Sequence, residues 1–209
     1  MAASHEFQQL DGNIKRLRRS LLPKSFNILG TYQQRSLDRA LAFRVLSHAE
    51  FEHYLEERAR TIAMTAVERW RNSKEIGTVL LCLVAFTESH EKIPDTLAPD
   101  QENRAQKWQE RLRLDARVNR AHSQYIGRLK KNHGIKEINV LQILLPIGLS
   151  SASLDPLWVA EMNSFGESRG SAAHTSIVNH MINPRDELQT VTHLLQGLRD
   201  LDQKLEELN

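Results

Sequence analysis

The feature that most constrains this chain is the recurrence of apolar residues at intervals of three and four, which is the period of an α-helix. The clearest stretch follows Ser36, a good N-terminal cap, and extends to about Asn72. Only six prolines and nine glycines interrupt the 209 residues, and the alternation typical of β-strands is nearly absent. The sequence therefore predicts an all-α protein. The apolar stripe of this first long helix is formed by Leu37, Leu41, Val45, Phe51, Leu55, Ile62 and Val67.

Further helices follow along the chain. An almost wholly apolar segment over 75–89 predicts a central helix, and a basic segment over 102–132 predicts a long helix that ends at Gly134. A short apolar helix is expected over 137–145.

Asx–Pro pairs mark two helix starts in the C-terminal third. Asp155 with the following proline begins a helix that the pattern predicts to break at Gly166. A short helix then begins near Arg169. Asn183, again followed by proline, starts the last helix, which carries a leucine-rich seam.

The domain organisation predicted from these signals is a single helical domain over 31–209, preceded by an N-terminal arm over 1–30 that could be flexible. Within the domain we expect a bundle with a long N-terminal helix pair and a short motif-bearing helix. The longest apolar run, over 76–86, has eleven residues, whereas a bilayer span needs about 20. The first ten residues lack the pattern of a signal peptide. A soluble cytoplasmic protein without a membrane partner is therefore expected.

Metal and disulfide chemistry have few candidate residues here. Cys82 is the single cysteine, so neither an intramolecular disulfide nor a thiolate zinc site can form. No histidine pair has the i, i+4 spacing of a helical zinc site. The sequence predicts neither a metal nor another cofactor.

The net charge of +2 conceals a strong asymmetry. Residues 1–36 carry a net charge of +4, residues 37–100 of −3, residues 101–136 of +7, and residues 137–209 of −6. A basic helix with few acids interleaved fits an RNA-contacting surface, although a solvated amphipathic face is the commoner explanation for such a run. The candidate RNA-binding residues are Arg117, Arg120, Arg128, Lys130 and Lys131.

Arg169 and His174 form the pair that could carry chemistry. Histidine exchanges protons near neutral pH, and arginine offers a fork of donors to phosphate oxygens. These are the groups that RNA cleavage needs for proton transfer and for the phosphorane. In one continuous helix, five residues separate the two positions by roughly 140°. The pair could therefore meet only if Arg169 lay at or before a helix start, and a dimer would supply two copies of each group.

The surroundings of this pair resemble HEPN-domain ribonucleases, closest to the RiboL-PSP subgroup. Arg169-x4-His174 matches the Arg-x4–6-His signature of that family. The residues directly before the pair, Ser164 to Ser168, are also similar to the family. Four further segments resemble it in the same order along the chain: Ala49 to Leu55, Asn132 to Lys136, Pro146 to Gly148, and Leu154 to Pro156. The likeness covers roughly residues 35–205.

The resemblance implies a homodimer that joins two Arg169/His174 pairs in one composite active site. It also implies a metal-independent endoribonuclease that leaves a 2′,3′-cyclic phosphate and a 5′-hydroxyl, as in toxins and antiviral defence effectors. An antitoxin or defence-system protein is a further partner that the resemblance allows. Where many family members have a polar residue, this chain has Gly170, so Ser171 is a candidate for the missing hydrogen bond. Glu50 and Glu52 lie on the first long helix, and either is a candidate to orient the pair, although a solvated position is the plainer interpretation.

Two alternatives stay open. The first is a non-catalytic helical module that binds RNA or a protein within a toxin–antitoxin or defence complex, and Gly170 after the motif arginine favours it. The second is a purely structural dimer built on the C-terminal leucine seam.

Overall fold

A computed structural model describes residues 3–87, 113–174 and 182–208, and for 168–174 it describes the backbone alone. These ranges contain seven α-helices and two short 3₁₀ turns. These ranges contain no β-strand, so the predicted all-α class is confirmed. The helices are α1 (His5–Leu21), α2 (Gln34–Ser73), α3 (Thr78–Ala85), α4 (Leu114–Lys130), α5 (Glu137–Leu144), α6 (Pro156–His174) and α7 (Pro184–Glu206), and the turns are Leu145–Ile147 and Ser151–Ser153.

The central element is α2, whose 40 residues extend for about 60 Å. It contacts all six other α-helices, and Phe43, Phe51, Leu55 and Ile62 are completely buried along it. The predicted long helix to about Asn72 is thus confirmed, but it begins at Gln34 after the cap residue Gln33, so the prediction of Ser36 as its N-terminal cap is wrong. A helix with apolar residues on several sides forms the axis of a bundle because each stripe can bury against a different neighbour.

The N-terminal segment is the first correction. We expected an arm over 1–30, but helix α1 packs along α2 as part of the hydrophobic core. Its own stripe of Phe7, Leu10, Ile14 and Leu17 is buried. The Ser4 hydroxyl caps it by accepting a hydrogen bond from the amide of Phe7. These residues have the same three-and-four spacing as α2, with basic residues between them on the exposed side.

The middle of the chain agrees in part with the prediction. Helix α3 is shorter than the expected 75–89 and buries Val79, Leu80 and Leu83, while Leu81 on its other side is 60% exposed. Helix α4 occupies the C-terminal part of the predicted 102–132 helix. The first part of that prediction lies outside the described residues.

Helix α6 is the second correction, because it continues through Gly166 to His174 as a single helix of 19 residues. The predicted break at Gly166 and the separate short helix near Arg169 are therefore wrong. An interior glycine costs a helix only about 1 kcal/mol relative to alanine. Here the backbone of Lys136 packs directly against Gly166, where a Cβ atom would lie only 3.3 Å from its amide nitrogen. Packing thus explains the glycine without a helix end.

Helix α7 begins where the sequence predicts. The side chain of Asn183 accepts a hydrogen bond from the amide of Arg185, and Pro184 occupies the first turn. The leucine-rich seam is mostly buried, including Val191, Leu194 and Leu198.

Candidate functional site

The predicted catalytic pair lies at the C-terminal end of α6. Positions 169, 170, 171 and 174 all belong to its helical backbone, and their side chains lie outside the described residues. Because α6 is continuous, positions 169 and 174 are separated by roughly 140° around its axis. The arrangement in which Arg169 precedes a helix and folds back toward His174 is therefore not the one observed. Within one chain the two positions do not share a helix face.

One turn before Arg169, Phe165 attaches α6 to α2. Its ring stacks on the imidazole of His48, with centroids 6.3 Å apart and planes 24° apart. It also lies 6.0 Å from the ring of Phe51. Both Phe165 and His48 are buried. This cluster fixes α6 against α2 close to the predicted catalytic segment.

The two carboxylates considered on α2 face different neighbours. Oε2 of Glu52 lies 3.8 Å from Nδ1 of His48, the i, i+4 pair that its spacing allows. Glu52 is therefore on the side of α2 that carries the Phe165 contact. Glu50 instead accepts a hydrogen bond from Asn13 at 2.8 Å, so it faces α1 and is not a candidate to orient the pair.

A second contact with α6 comes from the segment 132–136. The Asn132 amide donates to Oε1 of Glu56 at 2.8 Å and to the Gly134 carbonyl at 3.0 Å. Asn139 donates in turn to Oδ1 of Asn132. Burial raises the pKa of the Glu56 carboxyl, against the effect of the Asn132 hydrogen bond, which lowers it.

The segment reaches α6 through a glycine turn. Gly134 has a φ of +145°, a backbone region that side chains disfavour. Ile135 and Lys136 then pack on Gly166. Sequence spacing gave no signal for this network, since Glu56 and Asn132 are 76 positions apart and meet only through the fold.

A cleft of about 540 Å³ opens between α2, α6 and α7. At its edge Oε2 of Glu161 lies 2.6 Å from Nδ1 of His193, which links α6 to α7. On its α2 side Arg44 makes a two-pronged ion pair with Glu187. No sequence pattern singles out Arg44, Glu161, Glu187 or His193. The cleft is lined by Arg44, Ala160, Glu161, Ser164, Phe165, Gln189, Thr190 and His193.

The basic residues of α4 do not all lie on one face. Around its axis, positions 117, 120, 128 and 131 fall within about 80° of each other, whereas Lys130 lies about 140° from Arg117. Arg117 and Lys131 are exposed, while Arg120 and Arg128 are half-buried. Arg128 donates to the Phe86 carbonyl at 3.2 Å, which joins α4 to the end of α3. The predicted RNA-binding set thus has four residues on one face, with Lys130 about 80° beyond Arg120 at the edge of that face.

No three His, Cys, Asp or Glu side chains converge as metal ligands would in the described ranges. In the same ranges, no helix is both long and apolar enough to cross a bilayer. Comparison with known proteins finds no matching family model, no matching curated protein and no matching solved structure.

Proposed function

We propose that this protein is a metal-independent endoribonuclease of the HEPN type that acts as a homodimer. The observation that carries the proposal is the meeting of three segments that resemble the family. Phe51, from the segment on α2, contacts Phe165, and Lys136, from the segment before α5, packs on Gly166. All three segments lie far apart in sequence and converge beside the helical turn that precedes Arg169.

In the proposed reaction, the imidazole of His174 takes the proton of an RNA 2′-hydroxyl. The 2′-oxygen then attacks the adjacent phosphorus, and Arg169 stabilises the negative charge of the phosphorane. The bond from phosphorus to the 5′-oxygen breaks, and that oxygen receives a proton. The products are a 2′,3′-cyclic phosphate and a 5′-hydroxyl, and the charge of the reacting groups balances without a metal.

The continuity of α6 favours an active site that is built from two chains. Because positions 169 and 174 do not share a face within one chain, we place the two copies of α6 side by side in the dimer. His174 of one protomer then acts as base while His174 of its partner protonates the leaving oxygen. A toxin or defence role, with an antitoxin or defence-complex protein as regulator, belongs to the same proposal.

The decisive experiment uses end-labelled single-stranded RNA in the presence of EDTA. Wild type is compared with His174→Ala and Arg169→Ala, and His5→Ala, an exposed histidine on α1, is the matched control. We expect cleavage by wild type and the control, with a loss of at least about 100-fold in each of the other two variants. Cleavage at one rate by all four proteins would remove both residues from the mechanism.

A second candidate function is a non-catalytic module that binds RNA. The roughly 140° between positions 169 and 174 in one helix favours it, as does Gly170 after the motif arginine. The four-residue basic face of α4 would then provide the affinity. Salt-dependent binding of RNA without any cleavage product, by a dimer or a monomer, would support this function over the nuclease.

A further inference from the structure

The segment 132–136 holds an exposed lysine beside the helix that carries Arg169. The side chain of Lys136 crosses α6 at Gly166, where a Cβ atom would lie 3.2 Å from Lys136 Cγ. Gly166 precedes Arg169 by three residues, which is about 4.5 Å along the helix axis. Lys136 therefore packs on α6 directly beside the helical turn that leads to Arg169.

Lys136 is an exposed cation in the described part of the chain. Among the described residues, no carboxylate lies within 4.0 Å of its ammonium group. Its neighbour on α6, Glu167, is bound by the side-chain amide of Asn163 at 3.2 Å. Glu137 follows the lysine in the sequence and Glu167 follows Gly166, so the basic area at Lys136 is small and suits a contact with a single phosphate.

The backbone that carries Lys136 is held by three polar contacts and a glycine. Asn132 joins Glu56 to the Gly134 carbonyl, Asn139 donates to Asn132, and Gly134 supplies the turn. Such a chain orders the segment before any ligand arrives. Ordering in advance is useful where a long, flexible lysine must meet a ligand at a fixed place.

We propose that Lys136 binds a phosphate of the RNA strand next to the one that is cleaved, and that Asn132 positions it. The inference rests on the proposed function and adds a substrate contact that sets the path of the strand across α6. A strand that reaches Arg169 from the Gly166 side passes the ammonium group of Lys136. A compact ammonium on a flexible stem suits such a contact, since phosphate binding there needs charge more than a fixed fork.

The test measures kcat and KM on single-stranded RNA over a series of KCl concentrations. Lys136→Ala should raise KM about two- to fivefold with kcat unchanged. It should also make the log–log salt dependence of kcat/KM shallower by about 0.7, the contribution of one phosphate on a single strand. Lys136→Arg should keep both values near wild type. Asn132→Ala should shift the salt slope in the same direction as Lys136→Ala, which a purely structural role would not do.

Lys74→Ala is the control, an exposed lysine that directly follows α2, about 27 Å along the axis of that helix from Glu56, and that pairs with Asp115 at 2.9 Å. If Lys136→Ala and Lys74→Ala have the same KM and salt slope, the phosphate contact is refuted while the nuclease stands. If wild type binds RNA without cleaving it, the nuclease is refuted. The salt dependence of RNA binding, measured by filter binding for the same variants, then tests whether Lys136 contacts a phosphate.

Discussion

The indole ring of Trp158 lies directly on the backbone of Gly197. A Cβ atom at position 197 would lie less than 3.0 Å from three atoms of that ring. The indole nitrogen donates to the Leu194 carbonyl at 3.2 Å, one turn earlier on α7. This contact sets the distance between α6 and α7, the two helices that line the 540 Å³ cleft together with Arg44 of α2.

Gly197→Ala should therefore destabilise the protein, although alanine is the better helix former. Overpacking a well-packed core typically costs about 1–3 kcal/mol, which exceeds the roughly 1 kcal/mol gained from helix propensity. The measurement is the free energy of unfolding in urea.

Gly12→Ala is the control for Gly197→Ala. Nothing lies within 4 Å of a Cβ atom there, so the substitution in α1 should raise stability by up to about 1 kcal/mol. Equal effects of the two substitutions would contradict the close contact with Trp158.

A buried carboxylate connects the N-terminus, α2 and α7. Asp202 is 1% exposed and accepts hydrogen bonds from the amide and hydroxyl of Ser4 at 2.8 and 2.6 Å and from the hydroxyl of Tyr54 at 2.9 Å. Nε of Arg58 lies 3.3 Å from the same carboxylate. The same guanidinium pairs with Glu206 at 2.8 Å and with Glu6 at 3.9 Å, so Asp202 is one of three carboxylates around it.

Asp202→Ala should lower the free energy of unfolding by about 3 kcal/mol, because it leaves the buried amide and hydroxyl of Ser4 and the hydroxyl of Tyr54 without their acceptor. Asp202→Asn should cost less, since the amide still accepts from Ser4 or Tyr54. Asp200→Ala, exposed on the same helix, should change stability by less than about 0.5 kcal/mol. An Asp202→Ala protein as stable as Asp200→Ala would mean that the network contributes nothing.

Local signals account for much of what the sequence could predict. Asn183 and its proline predict the start of α7 because a cap acts on amides two or three residues away. The Glu56–Asn132 bond and the Trp158–Gly197 contact could not be predicted, because each joins residues that only the tertiary fold brings together. At Gly166 a local signal predicts the wrong structure for the same reason. Its residue type suggests a helix end, and only the packing of Lys136 explains why the helix continues.

The stacking of Phe165 on His48 shows how far the candidate site could be anticipated. Phe165 and the residues that follow His48 belong to segments for which the sequence predicts a resemblance to ribonucleases, yet nothing in the sequence indicates that Phe165 and His48 touch. Glu50 and Glu52 were equally good candidates on spacing alone. The 200° between them on α2 decides that Glu50 faces α1 and Glu52 shares a side with His48.

Two buried tyrosines predict a loss of stability at alkaline pH. Burial raises the pKa of both Tyr54 and Tyr125 well above the usual value, and the nearby Asp202 carboxylate raises that of Tyr54 further. The folded protein therefore keeps phenolic protons that the unfolded chain releases. The stabilising contribution is complete below about pH 10 and falls as the pH rises, by about 1.4 kcal/mol per pH unit for each tyrosine.

Tyr125→Phe isolates one of these contributions. The Tyr125 hydroxyl donates to the Ile143 carbonyl at 2.7 Å, so the variant should be less stable than wild type at pH 8. Its unfolding free energy should nevertheless fall less steeply above about pH 10, by about 1.4 kcal/mol per unit. Urea unfolding at several pH values gives the slopes. Parallel curves for the two proteins would show that Tyr125 ionises equally easily in both states.

The face of α4 that carries Arg117 and Lys131 should govern the salt dependence of RNA binding. Each phosphate neutralised on a single strand contributes about 0.7 to the log–log slope, so Arg117→Ala and Lys131→Ala should each reduce the slope by about that amount. Lys130→Ala removes the same charge about 140° around the same helix from Arg117 and should leave the slope nearly unchanged. A reduction shared by all three variants would show that net charge, rather than this face, attracts the RNA. Because the slope reports counterion release and not catalysis, the comparison holds whether the protein cleaves RNA or only binds it.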